Sequence, residues 1–190
     1  MHNVTFRFIC YVAAVVLGHS LPAAPVSAAS DPGTDAVMRT LELTNVERAN
    51  HGLPPLALSR ELSRAAQTYA EVLANSDCFQ HTCGPVPDMR DRVEQAGYTG
   101  WTAMAENIAA GYRSPEIAIA AWMGSDGHRA NMLNPHYTEI GIGMSMSDGS
   151  YGVYWTQNFG ARPGVATQDH VIATAPSEPE LEMAPDALSS

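Results

Sequence analysis

The chain contains no lysine, and this absence limits the partners that it can bind. Its ten Lys and Arg positions are all arginine, and they stand against twenty acids among 190 residues, so the formal net charge is −10. Nucleic acids and anionic lipid headgroups need clustered Lys and Arg, so neither is an expected partner. The sequence also has no nucleophile-elbow serine and no glycine-rich phosphate loop. The common covalent hydrolases are therefore poorly supported.

Long apolar runs are also scarce, and the most prominent one lies at the N-terminus. Residues 8–18 form an apolar run after Arg7, and prolines and small residues follow up to Ala29. The run is too short to span a bilayer, and the order of basic, apolar and small residues is typical of a secretory signal. We expect residues 1–28 to be a cleaved signal peptide and the mature protein to be secreted, extracellular or in the cell envelope, without a transmembrane segment. The alternative is an anchor that stays attached.

Only three cysteines are present, and two of them, Cys78 and Cys83, lie outside the expected signal. Export to an oxidising compartment predicts a disulfide between them. So short a loop would stabilise the fold by about 2 kcal/mol in the chain-entropy model, and it would bracket His81. The alternative is a thiolate metal site made of Cys78, His81 and Cys83, which is disfavoured because exported thiols tend to be oxidised.

Hydrophobic periodicity predicts an α+β domain over residues 35–162. A lead-in over 29–34 precedes it, and an acidic, proline-containing tail over 163–190 is expected to be disordered. Helices are predicted from Val37 to Gly52, from the N-cap Ser59 to Ala74, over 89–96, and from Ser114 until Asp126-Gly127 ends the last one. Strands are predicted over 105–111, 139–146 and 151–159, with a Ser-Asp-Gly-Ser turn joining the last two.

Three titratable residues, His81, Glu106 and His128, lie where the backbone is expected to be irregular. Two imidazoles and a carboxylate suit Zn²⁺ or another divalent cation, with one position open for water. The same trio could transfer protons. Spacing alone does not bring them together, so each histidine could instead be structural, and Glu106 could accept hydrogen bonds from backbone N–H groups.

An ordered set of motifs carries more information than these residues taken singly. The motifs are Asn45-x-x-Arg48, Asn50-x-Gly52-Leu53-Pro54-Pro55-Leu56, His81, Asp91-Arg92, Gly97-Tyr98, Glu106-Asn107, Trp122, Gly127-His128-Arg129-Ala130-Asn131, Gly141-x-Gly143 and Trp155-Thr156-Gln157-x-Phe159. The set resembles the CAP superfamily of secreted proteins, named for cysteine-rich secretory proteins, antigen 5 and pathogenesis-related 1. It covers residues 35–162 and looks like the bacterial branch of that family.

The resemblance implies a three-layer α-β-α sandwich with a small, mostly antiparallel sheet and a central cleft lined by a His/Glu tetrad. His81 matches the first histidine, Glu106 the first glutamate and His128 the second histidine. The fourth position, a glutamate in many eukaryotic members, is Ser125 here. The adjacent Asp126 could substitute for it. Glu139 is a further candidate, although its strand-entry position favours a salt bridge or a surface role.

Three functions are compatible with this resemblance. The first is a secreted binding module whose cleft holds a divalent metal and a small or lipidic ligand. The second is an envelope or host-interaction protein with a vestigial cleft. The third is a zinc-dependent hydrolase in which His81 and His128 hold the metal and Glu106 or Asp126 activates water. The incomplete tetrad favours binding over catalysis.

Overall fold

Four strands form one mixed sheet that carries helices on both faces. The computed structural model describes residues 32–164. The signal peptide predicted over 1–28 and nearly all of the predicted tail over 163–190 lie outside the described residues. The elements are α1 (Pro32–Asn50), β1 (Ala57–Leu58), α2 (Arg60–Ser76), α3 (Met89–Gln95), β2 (Ala103–Ala110), α4 (Pro115–Met123), α5 (Asp126–Met132), β3 (Glu139–Met146) and β4 (Val153–Ala161).

The strand order is β1-β3-β4-β2. Strand β4 pairs antiparallel with both β2 and β3, and the two-residue β1 pairs parallel with β3. Helices α2 and α3 cover one face, and α1 and α4 pack through a second apolar cluster on the other. The α+β class and the three-layer sandwich predicted from the sequence are thus confirmed.

Helix α2 lies unusually close to the sheet, because small residues meet at the contact. Its N-cap Ser59 accepts a hydrogen bond from the Leu62 N–H, as its position in the sequence predicts. On β3, a Cβ atom added at Gly141 or Gly143 would fall 2.0 Å or 2.3 Å from the nearest backbone atom of α2. Only glycine therefore fits at these two positions.

Helix α1 buries polar residues, and Arg48 is the most important of them. Its guanidinium donates hydrogen bonds to the carbonyls of Pro54, Met132, Asn134 and Tyr137, at 2.8–3.4 Å. Burial lowers the pKa of Arg48 to about 10, so the side chain remains charged at neutral pH. This one residue ties α1 to the loop between α5 and β3.

Three local features differ from the sequence predictions. Helix α1 begins at Pro32, inside the segment 29–34 expected to be a lead-in, and β1 was not predicted. The pair Asp126-Gly127 begins α5 rather than ending α4, because α4 already ends at its C-cap Gly124. A seven-residue helix with a glycine in its first turn shows too little periodicity to be recognised from the sequence.

Candidate functional site

Glu106 forms the buried centre of the site. It lies on β2, and only 3% of its side chain is exposed. Arg92 of α3 donates from Nη2 to Glu106 Oε2 across 2.6 Å, and Arg92 is itself buried. When the Asn158 amide is oriented so that its oxygen and its nitrogen both have a partner, the nitrogen donates to the same oxygen at 3.2 Å. Glu106 is therefore a fixed, charge-paired carboxylate rather than a mobile one.

His81 contacts the second oxygen of the Glu106 carboxylate. Its Nδ1 lies 2.9 Å from Glu106 Oε1, and 57% of its side chain is exposed. The loop that carries it is closed by the Cys78–Cys83 disulfide, which confirms that prediction. Because both sulfurs are used in the disulfide, the alternative thiolate metal site is wrong.

Two further hydrogen bonds hold the His81 loop against the helices. Tyr69 on α2 donates from its hydroxyl to the Gln80 carbonyl at 2.7 Å. Arg92 donates from Nη1 to the His81 carbonyl at 3.2 Å, so one guanidinium contacts both the loop and the carboxylate. The imidazole is thus positioned by its backbone as well as by Glu106.

His128 approaches from α5, which is anchored to β2 by an asparagine pair. Asn107 on β2 donates to the His128 carbonyl at 3.1 Å, and Asn131 donates to Asn107 Oδ1 at 2.9 Å. His128 Nδ1 lies 2.9 Å from the hydroxyl of Ser125. These contacts place α5, and with it His128, beside the outer edge of β2.

The two histidines belong to one electrostatic environment. Burial lowers the pKa of His128 below its usual value of 6.5, and positive charge on His81 lowers it further. The contacts in the structure are more specific: His81 meets Glu106 at 2.9 Å, and the backbone of His128 is hydrogen-bonded to Asn107, the neighbour of Glu106 on β2.

The three candidates for the fourth tetrad position lie in different surroundings. Ser125 contacts His128 directly. Asp126 leaves 94% of its side chain exposed and pairs with Arg129 at 2.6 Å. Glu139 is buried and pairs with Arg162 at 2.6 Å, so it forms the salt bridge expected of it, but in the interior rather than at the surface. Of these three side chains, Ser125 is therefore the one that contacts a histidine of the site.

Two imidazole nitrogens are the donor atoms that these histidines could offer to a cation. In both histidines Nδ1 already has a hydrogen-bond partner, which leaves Nε2 as the atom that could bind a metal. A carboxylate on Nδ1 is a common outer-shell arrangement around metal-bound histidine. Within residues 32–164 no group of three or more His, Cys, Asp and Glu side chains is arranged to hold a metal ion. Water would therefore have to complete the coordination of a cation bound by the two imidazoles.

Sequence analysis selected His81, Glu106 and His128 as candidates but missed the residues that contact them. Arg92, Asn131 and Asn158 each hydrogen-bond to Glu106 or to its strand. Arg92 and Asn131 belong to two of the sequence motifs, yet nothing in the spacing of those motifs indicates that the two residues contact β2.

Among the helices within residues 32–164, none has the length and apolar character needed to cross a membrane.

Comparisons with known proteins give the family of the chain. The family model of the cysteine-rich secretory protein family, CAP, matches residues 41–159. The uncharacterized protein YkwD of Bacillus subtilis is 39% identical over 121 residues, which cover 64% of this chain and 45% of YkwD. The membrane protein YlbC of the same organism, also uncharacterized, is 32% identical over 66% of this chain and 34% of its own length. The chain thus spans less than half of the length of these curated relatives.

A solved structure shows the same fold. An extracellular protein containing an SCP domain from Bacillus anthracis superposes with a TM-score of 0.62 at 27% identity, covering 72% of this chain and 45% of that one. The family model accounts for more than half of the 190 residues, and the motifs from Asn45 to Phe159 lie within its range. The chain belongs to the CAP family of cysteine-rich secretory proteins.

Proposed function

We propose that this domain is a binding module that works outside the cytoplasm. It binds a divalent cation through His81 and His128, and a small or lipidic ligand lies beside the cation. The observation that carries the proposal is the contact of 2.9 Å between His81 Nδ1 and Glu106 Oε1. A zinc ion would supply a Lewis-acidic centre that polarises an oxygen of the ligand.

The contact matters because it selects one tautomer of His81. With its proton on Nδ1 and donated to the carboxylate, the imidazole presents the lone pair of Nε2 to the cleft. Arg92 fixes Glu106 from behind at 2.6 Å, so the carboxylate orients the ring rather than following it. The lowered pKa of His128 favours the neutral form that a cation requires.

Binding is favoured over hydrolysis because the carboxylates are already engaged. Glu106 has one oxygen on His81 and the other on Arg92, which leaves neither oxygen free to take a proton from water. Asp126 is directed to solvent and paired with Arg129. Catalytic zinc sites also have three protein ligands, and this cleft supplies two imidazoles. The hydrolase is therefore the weaker proposal.

The location outside the cytoplasm rests on separate observations. The Cys78–Cys83 disulfide is expected in an oxidising compartment. The sequence begins with the order of residues that is typical of a secretory signal. The similar protein from Bacillus anthracis is described as extracellular.

Calorimetric titration of the purified protein with zinc chloride tests the cation site. We expect saturable binding of a single ion, and we expect His81→Ala and His128→Ala each to abolish it. His136→Ala is the matched control, since His136 is exposed in the loop after α5 and outside the cleft. Zinc binding that survives equally in all three variants would refute the site.

A further inference from the structure

Two exposed aromatic side chains, Phe79 and Tyr151, are in contact at one end of the sheet, and a third, Tyr112, is exposed next to Gly111 in the chain. Phe79, Tyr112 and Tyr151 have 40%, 37% and 46% of their surface accessible, and within residues 32–164 they are the exposed large aromatic residues. The rings of Phe79 and Tyr151 lie 5.6 Å apart. Gly111, next to Tyr112, borders the Tyr151 ring, since a Cβ atom added at Gly111 would lie 3.8 Å from it. We call Phe79, Tyr112 and Tyr151 the aromatic platform.

Phe79 and Tyr151 are held in place by covalent and packing contacts although they face solvent. Phe79 lies inside the loop that the Cys78–Cys83 disulfide closes. Tyr151 packs edge-on against the buried Tyr154 at 5.9 Å, and the Tyr154 hydroxyl donates to Asp77 at 2.6 Å. Rings that are fixed before a ligand arrives lose little conformational entropy on binding.

Asp77 has a second role that also fixes the platform. It ends α2 in the left-handed conformation, with φ of 48°, which is costly for a residue other than glycine. Its carboxylate accepts hydrogen bonds from both the backbone N–H and the hydroxyl of Ser150, the neighbour of Tyr151. The β3–β4 hairpin tip is therefore fastened to the end of α2.

Along the chain, the platform residues lie close to the residues of the histidine site. Phe79 is two residues from His81 in the same closed loop, and β2 runs from Glu106 to Ala110 and so leads directly to Gly111 and Tyr112. A ligand long enough to follow this edge of β2 from Tyr112 to Glu106 would contact both the platform and the histidine site.

The size and charge of the platform select among possible occupants. The three rings expose on the order of 300 Å², well below the ~800 Å² per partner of a stable protein interface. Arg113 and Asp148 both line the adjoining hollow, so its formal charges balance. With a formal net charge of −10 the chain is repelled by an anionic bilayer. A neutral ligand with flat apolar faces and a hydroxyl rim fits these conditions.

We propose that the aromatic platform binds a neutral saccharide chain, whose sugar rings stack on Phe79 and Tyr151 and whose hydroxyls reach toward the histidine cleft. The C–H face of a pyranose packs on an aromatic ring, and the phenolic hydroxyls of tyrosine supply hydrogen bonds at the edge. The inference rests on the proposed binding function, because it names the ligand class for the same cleft.

Calorimetric titration of the purified protein with cellohexaose and with chitohexaose tests the proposal. We expect saturable binding of at least one of them, weakened about tenfold by Tyr151→Ala or Phe79→Ala and retained by Tyr151→Phe, which keeps the ring. Ile117→Ala is the control, because Ile117 is 53% exposed on α4, away from the platform. No saturation by either oligosaccharide up to ~10 mM would overturn the proposal, as would equal affinities of Tyr151→Ala and Ile117→Ala.

Two further measurements separate this proposal from its neighbours. Binding to phosphatidylcholine vesicles that depends on Tyr151, with no oligosaccharide binding, would overturn the saccharide in favour of a membrane surface. Saccharide binding that persists when zinc binding is absent would leave the platform standing and remove the cation site. Zinc binding through His81 and His128 without saccharide binding would support the cation site and overturn the saccharide proposal.

Discussion

Arg92 and Glu106 form an ion pair of 2.6 Å in which 6% and 3% of the two side chains are exposed. Breaking such a pair from one side leaves an uncompensated buried charge. We therefore expect Arg92→Ala to lower the free energy of unfolding by about 3–5 kcal/mol, measured by urea denaturation. The double variant Arg92→Met/Glu106→Gln should lose less than Arg92→Ala, because it leaves no unpaired charge.

The matched control is Arg129, which pairs with Asp126 at the same distance of 2.6 Å but at the surface. Arg129→Ala should cost about 0–1 kcal/mol, because solvent screens an exposed pair. Equal losses for Arg92→Ala and Arg129→Ala would show that burial does not govern the Arg92–Glu106 pair.

His128 should titrate below 6.5 in protein freed of metal by a chelator. Burial is the larger cause and the charge of His81 the smaller, so His81→Ala should raise the pKa of His128 without restoring it fully. Imidazole proton shifts in NMR spectra measured against pH report both values. Since the unfolded chain takes up this proton at a higher pH than the folded domain, the free energy of unfolding should fall as the pH drops below 6.5. A His128 pKa that does not change in His81→Ala would show that the charge of His81 does not act on His128.

The sequence indicates which titratable residues are candidates for the site, but not which side chains contact them. His81, Glu106 and His128 stand in recognisable motifs, and Ser59 and Ser114 are helix N-caps as their local sequence indicates. A helix cap can be recognised from sequence because the capping side chain bonds to a residue only three positions away. The pairing of Arg92 with Glu106 depends instead on how α3 lies against β2, which no spacing along the chain specifies. The same holds for Asn131, whose contact with Asn107 joins α5 to the sheet.

Gly143→Ala should be strongly destabilising. A Cβ atom at Gly143 would lie 2.3 Å from the Gln67 backbone nitrogen of α2, so either the helix or the strand would have to move. Overpacking of this kind costs about 1–3 kcal/mol or more, which thermal or urea unfolding would detect.

Gly127→Ala provides the opposite case. A Cβ at Gly127 meets no atom within 4 Å, and the residue lies in α5. Alanine there should stabilise the domain by about 0.5–1 kcal/mol, since it restricts the unfolded chain and favours the helix. If Gly143→Ala and Gly127→Ala changed the stability equally, close packing of α2 on β3 would not be the cause of the destabilisation at Gly143.

Asp77→Asn should loosen the β3–β4 hairpin and lower the melting temperature above pH 4. Hydrogen bonds from Ser150 and Tyr154 hold the pKa of Asp77 below its usual value of 3.8. The stabilisation is therefore present above 3.8 and is lost as the pH falls through the lower folded-state pKa. Melting temperatures of wild type and Asp77→Asn should converge at low pH. Asp148→Asn, in the exposed hairpin turn, should follow the wild type at every pH.

Removing the disulfide tests the link between the His81 loop and the cation site. The double variant Cys78→Ser/Cys83→Ser should lower the free energy of unfolding by roughly 2 kcal/mol, because the loop is short. It should weaken zinc binding further than this loss of stability explains, since His81 is then oriented by Glu106 without a closed loop behind it. Zinc titration well below the unfolding temperature separates the two effects. Unchanged zinc affinity in the folded variant would show that Glu106 and Arg92 alone position His81.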